Sequence, residues 1–501
     1  MSPSLDIQKV AVIGCGSMGG NMALLFAEKG IDVSLQDPDE KTMDNIVSAA
    51  KKQGFGERVK QYNDYDSLCA SLSSPKVLIF SLPHGSVGDT VLSGLTPYLN
   101  KGDIIIDCGN EHWENTERRQ GKSVTRGIRY VGAGVSGGYQ AARLGPSICP
   151  GGDDESLDCV MPFLEKVAAK DDKGRSCVGK VGTGGSGHYV KMVHNGVEHG
   201  MMCAISEAWG IMEKGLGMSF EEIGQVFDDW NKDGPLAGTF LVAIGARICR
   251  TRNDAGKKVL SEVEDKVVQD VTGEEGTGIW SNAEGVSLHV PAPTLTTAHY
   301  LRLASAYRDT RILAQETIGG GFEPQRFGVN DHAGFINYLR TATYLACLVS
   351  YIQGINIIEQ ADKENGWNID YSAVLQIWRA GCIIQADHIS SLLRPEFVNF
   401  RQRKSMNLLF EPRVMKELRS GFDELKRVIL AATEADHIVP SLSASLEYIK
   451  YETNTNLPTQ FYEAELDLFG KHMFDKKDEP DTGGPTEGRH HFEWKPAKGA
   501  A

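Results

Sequence analysis

VIGCGSMGGNMALLFAEKG, residues 12–30, is the stretch on which the reading of the fold turns. An apolar, β-branched run ends in Gly14, and Gly14, Gly16 and Gly19 stand in G-x-G-x-x-G spacing before an Ala- and Leu-rich run. Each glycine has a separate reason. Gly14 allows the tight turn, Gly16 lets backbone approach a pyrophosphate, and Gly19 lets helix pack close to strand. Ser17 and Met18 lie at the start of the following helix, whose free N–H groups and partial positive charge suit a phosphate. A second strand, DVSLQD, ends at Asp37, where a carboxylate bonds an adenosine ribose 2′-hydroxyl and repels a 2′-phosphate. NAD is therefore the expected cofactor, with NADP the alternative.

The pattern repeats outward from that unit. KVAVIGCG, DVSLQD, KVLIFSLP, DIIIDCGN and RYVGAGVSGG read as strands ending in Gly, Pro or Asp, separated by helical stretches. That rhythm predicts a parallel, doubly wound sheet with ligands at the carboxyl ends of its strands. After residues 178–187 long amphipathic runs replace the strands: 188–216, 296–317, 332–361 and 370–432, the last with turns at Gly381 and Pro395. The reading is an α/β Rossmann domain over 1–184, a large all-α domain over 185–452, and a polar C-terminal tail over 453–501.

Composition excludes several classes. A formal charge of −14 argues against nucleic acid or anionic membrane as partner, since both need a positive field. No secretory leader and no apolar run of about 18 residues are read, so no membrane span is expected and the expected location is the cytoplasm. The ten cysteines lack C-x-x-C spacing, which reads as reduced thiols with neither disulfides nor a metal site.

HYVKMVHNGVEHG, residues 188–200, carries the chemistry. On a helix Lys191, His194, Asn195 and Glu198 fall on one face, an amine, imidazole, amide and carboxylate in a row. In isolation that row also fits a solvated stripe; its neighbours decide.

GDIIIDCGN, YVGAGVSGG, GPSICPGG, GSGHYVKMVHNGVEHG, GTGIW and WRAGCII occur in the order and spacing of 6-phosphogluconate dehydrogenases. The chain resembles that family, within the β-hydroxyacid dehydrogenase superfamily, from about residue 8 to residue 475. The resemblance implies a Rossmann domain, an all-helical domain and a homodimer with exchanged tails. It also implies roles. Lys191 takes the C3 hydroxyl proton as hydride leaves C3, the 3-keto acid loses CO2, and Glu198 helps protonate C1 of the enediol. Asn195 with Ser136, Gly137 and Gly138 holds substrate hydroxyls and carboxylate, His194 lies beside them, and Asn110 lies near the nicotinamide.

The pattern departs at two places. The family's arginine for the NADP 2′-phosphate aligns with Asp37-Pro38-Asp39. At the substrate's phosphate end, the family's tyrosine, lysine, threonine, arginine and partner-tail arginine align with His199, Glu275, Thr277, Arg302 and Leu466, and its tail histidine with His472. The expectation is a paralogue that uses NAD on an unphosphorylated sugar acid such as gluconate; the alternative is an ordinary decarboxylating 6-phosphogluconate dehydrogenase of the pentose phosphate pathway. Oxidation without decarboxylation and a catalytically silent paralogue are the competing readings.

Overall fold

The computed structural model describes residues 5–273, 276–397, 407–480 and 484–494. Its sheet has seven strands: β1 (Lys9–Ile13), β2 (Asp32–Gln36), β3 (Val59–Gln61), β4 (Val77–Phe80), β5 (Ile104–Asp107), β6 (Arg129–Ser136) and β7 (Ser147–Gly151). They lie in the order β3-β2-β1-β4-β5-β6-β7. The order reverses between β1 and β4, so a crevice opens at the carboxyl ends of those strands. β1, β2, β4 and β5 are buried almost throughout, as a sheet covered on both faces requires.

Two strands were not anticipated. β3 is three residues long with one of them buried, too short to show a period. β7 contains Pro150 and Gly151, which read as breakers; it runs antiparallel to β6, returning through the short helix Gly138–Leu144. A proline is tolerated there because β7 ends the sheet.

The helix Ser186–Gly210 begins the helical part and is buried along most of its length. Glycines bring it down onto β6. A Cβ on Gly134 would lie 2.4 Å from Lys191 Cβ, and one on Gly187 would lie 2.3 Å from the Gly132 oxygen. The helix therefore tracks β6 toward its carboxyl end, and His194 reaches Ser136. The longest helix, His332–Asn365, packs on the same helix: a Cβ on Gly354 would lie 2.4 Å from a Val197 methyl. By length and composition this helix could cross a membrane, contrary to the sequence expectation. Its apolar window is 89% buried inside the fold, so core packing accounts for its composition.

The run 296–317 is two helices, Pro293–Ala306 and Arg308–Thr317, with Pro293 in the first turn where its missing N–H costs nothing. Gly381 makes the expected turn at φ 70°, but Pro395 lies inside the helix Asp387–Phe397. All ten cysteines are free thiols.

The chain divides into two compact units, 1–446 and 447–501. Within the second, the helix Thr459–Gly470 is followed by a segment gathered around Asp467. Its carboxylate accepts from the Met473 and Phe492 N–H groups and from Trp494 Nε1, and contacts His491 Nδ1 at 2.9 Å. Burial opposes the charge, but these bonds hold Asp467 well below the usual carboxylate range. The polar tail thus folds around a carboxylate in place of an apolar core.

Candidate active site

The glycine turn fits a dinucleotide. Gly14 has φ 88°, and a Cβ there would stand 2.3 Å from the Ser81 oxygen; one on Gly19 would stand 1.9 Å from the Gly14 oxygen. A Cβ on Gly16 would meet nothing within 4 Å, so this backbone faces open space. The helix Ser17–Glu28 starts there with no side-chain cap, leaving its first N–H groups for an anion. At the end of β2, Asp37 Oδ2 accepts the Cys15 N–H at 2.6 Å and Oδ1 accepts the Asp39 N–H at 2.9 Å. Asp37 both fixes the turn and presents a carboxylate at the cleft.

That cleft, about 1170 Å³, runs from the glycine turn to the helix Ser186–Gly210. Gly14, Gly16, Ser17, Met18, Asp37, Asn110, Ser136, Gly137, Gly138, Lys191, Asn195 and Glu198 all line it. Gly19 lies beneath the turn, where it packs. Gly137 has φ 106° and lies so close to the Gly381 oxygen that a Cβ would sit 2.2 Å from it, while Gly138 faces open space. The Ser-Gly-Gly turn is thereby pinned on one side and bare on the other.

On the helix, Asn195 is the centre of a hydrogen-bond network. Its Oδ1 accepts from Lys191 Nζ at 2.5 Å and lies 3.1 Å from His194 Nδ1; its Nδ2 donates to Thr277 Oγ1 at 2.7 Å. His194 Nε2 lies 3.1 Å from Ser136 Oγ. Burial, and then the Lys191 charge, hold His194 well below the usual histidine range, so the ring is neutral. An amide oxygen only accepts, so the ring proton is assigned to Nδ1 and Ser136 donates to Nε2. Glu198, partly exposed, approaches His194 Nδ1 only to 3.9 Å.

One turn onward stands a group the sequence reading did not assemble. His199 stacks on His299 with ring centroids 5.8 Å apart and planes within 4°. Asp270 Oδ2 accepts from Arg302 Nε at 2.7 Å, and Asp270 Oδ1 lies 3.8 Å from His299 Nδ1. Burial, then the Arg302 charge, pull His199 down to about 3. His199, Thr277 and Arg302 are thus brought together. Asp270 and His299 lie 71 and 100 residues beyond His199 and give no local pattern; the only signal was that Asp270 precedes the GTGIW motif. Glu275 lies outside the described residues. His472 and Leu466 belong to the unit 447–501.

Residues 9–182 match the family model described as the NAD binding domain of 6-phosphogluconate dehydrogenase, and residues 187–494 the model of its C-terminal domain. A decarboxylating 6-phosphogluconate dehydrogenase of Emericella nidulans is 42% identical over 499 residues, covering 96% of this chain and all of the relative. The Klebsiella pneumoniae enzyme of that name is 33% identical over 489 residues, covering 97% and 99%. A solved structure of Plasmodium falciparum 6-phosphogluconate dehydrogenase, described as apo and in complex with NADP+ and with 6-phosphogluconate, superposes with a TM-score of 0.86. It is 31% identical and covers 97% of this chain and 100% of its own.

Proposed function

Because the chain belongs to the 6-phosphogluconate dehydrogenase family, we propose that it catalyses the oxidative decarboxylation of 6-phosphogluconate with a nicotinamide cofactor. The observation that carries this reading is the Lys191–Asn195–His194–Ser136 network, which opens into the same cleft as the glycine turn. Relatives named as decarboxylating enzymes match over nearly the whole chain, which favours this reaction over oxidation alone.

When bound, the nicotinamide supplies the hydride acceptor. Lys191 takes the C3 hydroxyl proton, and Asn195 Oδ1 holds the amine in position for it. Because His194 is neutral, it adds no second charge beside the amine. The bare face of Gly138 receives the carboxylate that leaves as CO2, and Glu198 delivers the proton to C1. Gly14, Gly16, Ser17 and Met18 carry the pyrophosphate on a turn that Gly19 lets pack closely, and Asn110 the nicotinamide end. Residues 1–184 serve the cofactor, 185–452 the substrate, and 453–501 form a tail exchanged across a homodimer. Phe461, Tyr462, Leu468 and Phe469, exposed on one tail helix, support the dimer.

A second reading concerns specificity. Asp37 at the cleft favours NAD over NADP, since its carboxylate suits a free 2′-hydroxyl. Glu275 and Leu466, where the family carries cations, favour a sugar acid without the phosphate. An initial-rate matrix of 6-phosphogluconate and gluconate, each with NAD and NADP, separates these. Turnover of 6-phosphogluconate supports the main reading, turnover confined to gluconate the second, and silence in every cell rejects both.

A further inference from the structure

We propose that His199, Asp270 and His299 form a binding site for one divalent transition-metal ion of the zinc class. All three are buried, and a ligating atom from each lies within 4.8 Å of the others. The independent observation is what those side chains lack. His199 Nδ1, Asp270 Oδ1 and His299 Nδ1 are each buried without a hydrogen-bond partner.

The three side chains lie close together. A Cβ built on Gly278 would lie 3.1 Å from His199 Nδ1 and 3.2 Å from Asp270 Oδ1, which places both over the same glycine. Asp270 Oδ1 is in turn 3.8 Å from His299 Nδ1. Buried polar atoms normally find partners, so three without one in such a small space mark a missing ligand. Two imidazole nitrogens and one carboxylate oxygen form a donor set that suits zinc and leaves a coordination position open. Metal–ligand bonds of about 2.0–2.1 Å require the three atoms to close to roughly 3.3 Å, an adjustment of about an ångström.

The surroundings agree with this chemistry. Both rings are depressed below the usual histidine range, chiefly by burial, and a neutral imidazole is the ligating form. Among the described residues, the charged groups acting on His199 are Arg302, Lys191 and Asp270 itself. Arg302 holds Asp270 Oδ2, so the carboxylate stands between the guanidinium and the ion and is oriented by that bond. Asn195 reaches Thr277, the neighbour of Gly278, so the ion would add positive charge near the substrate end that Asn195 and Thr277 serve. That last placement rests on the function proposed above; the metal site itself does not.

The test uses the full-length chain, stripped with a chelator and titrated with Zn2+ or Co2+. The expected result is one Zn2+ per chain and a Co2+ visible spectrum unlike that of the aqueous ion. Affinity should fall at least about tenfold in His299→Gln, His199→Gln and Asp270→Asn. Comparing variants with the parent removes any background from the tail histidines His472, His490 and His491. The Co2+ spectrum of the parent stands even if a variant fails to fold. A folded parent that retains no Zn2+, or variants that bind as the parent does, would overturn the site and point to water or a substrate hydroxyl as the missing partner. Turnover measured alongside keeps the two proposals apart. Turnover without metal removes only the site, and metal without turnover of any sugar acid removes only the function.

Discussion

Two adjoining stretches of one helix are finished in different degrees. At Lys191, His194 and Asn195 the hydrogen bonds run from side chain to side chain, ending at Ser136 and Thr277. One turn later, His199, Asp270 and His299 each keep a buried atom without a partner. The glycine turn repeats the contrast: Gly19 is pressed against protein, and Gly16 faces open space. Where the protein completes its own contacts, a change strikes folding or the chemical step. Where it leaves them open, a change strikes ligand binding first.

The largest effect should come from breaking the finished end. Lys191→Met should lower kcat by about 10³-fold, within the usual span for a lost acid–base group. Cofactor affinity, read by fluorescence titration, should stay within about twofold; a kcat within tenfold of the parent would mean another group takes the C3 proton.

The glycine pair comes next. Gly19→Ala puts a methyl 1.9 Å from the Gly14 oxygen and should lower folding stability by about 3 kcal/mol, the upper end for overpacking. Gly16→Ala should leave the thermal midpoint of the cofactor-free protein unchanged while weakening cofactor binding at least about tenfold, as a methyl now faces the pyrophosphate. Equal losses of stability in both would erase the distinction between them.

Asp37→Ser should raise kcat/KM for NADP relative to NAD by about tenfold, roughly 1.4 kcal/mol, by removing a charge that repels the 2′-phosphate. An unchanged ratio would assign Asp37 wholly to the turn it makes through the Cys15 and Asp39 N–H groups.

The smallest effect is a slope. His199 falls from 6.5 in the unfolded chain to about 3 in the fold. A base depressed by folding contributes stability above pH 6.5 and loses it as pH drops toward 3. Between those values His199 adds about 1.4 kcal/mol per pH unit to the acid sensitivity of metal-free protein. Urea unfolding of His199→Phe at pH 6 and 5 should show that much less difference than the parent; parallel curves would mean that the ring is protonated in the fold.

Much of this was legible in the sequence. The glycine spacing placed the crevice, because backbone room is a property of residue type. The 188–200 pattern placed Lys191, His194, Asn195 and Glu198 on one face, because helical periodicity is local. What escaped was set by distance or by partners. β7 hid behind Pro150, a residue tolerated only because its strand ends the sheet. The helix His332–Asn365 is apolar enough to cross a membrane, yet its apolar window is 89% buried in a core that periodicity alone does not reveal. Asp270 and His299 gave no signal, since only the packed helices bring them to His199. The domain limits read at 184 and 452 stand beside family-model limits at 182 and 187 and a second compact unit from 447.

The most direct measurement is the ratio of CO2 released to cofactor reduced when 6-phosphogluconate labelled with 13C at C1 is turned over by the purified chain. The expected ratio is one labelled CO2 for each NAD(P)H, with both products formed about 10³-fold more slowly by Lys191→Met. Reduced cofactor accumulating without labelled CO2 would contradict it, leaving the helix face to a simple 3-hydroxyacid dehydrogenase.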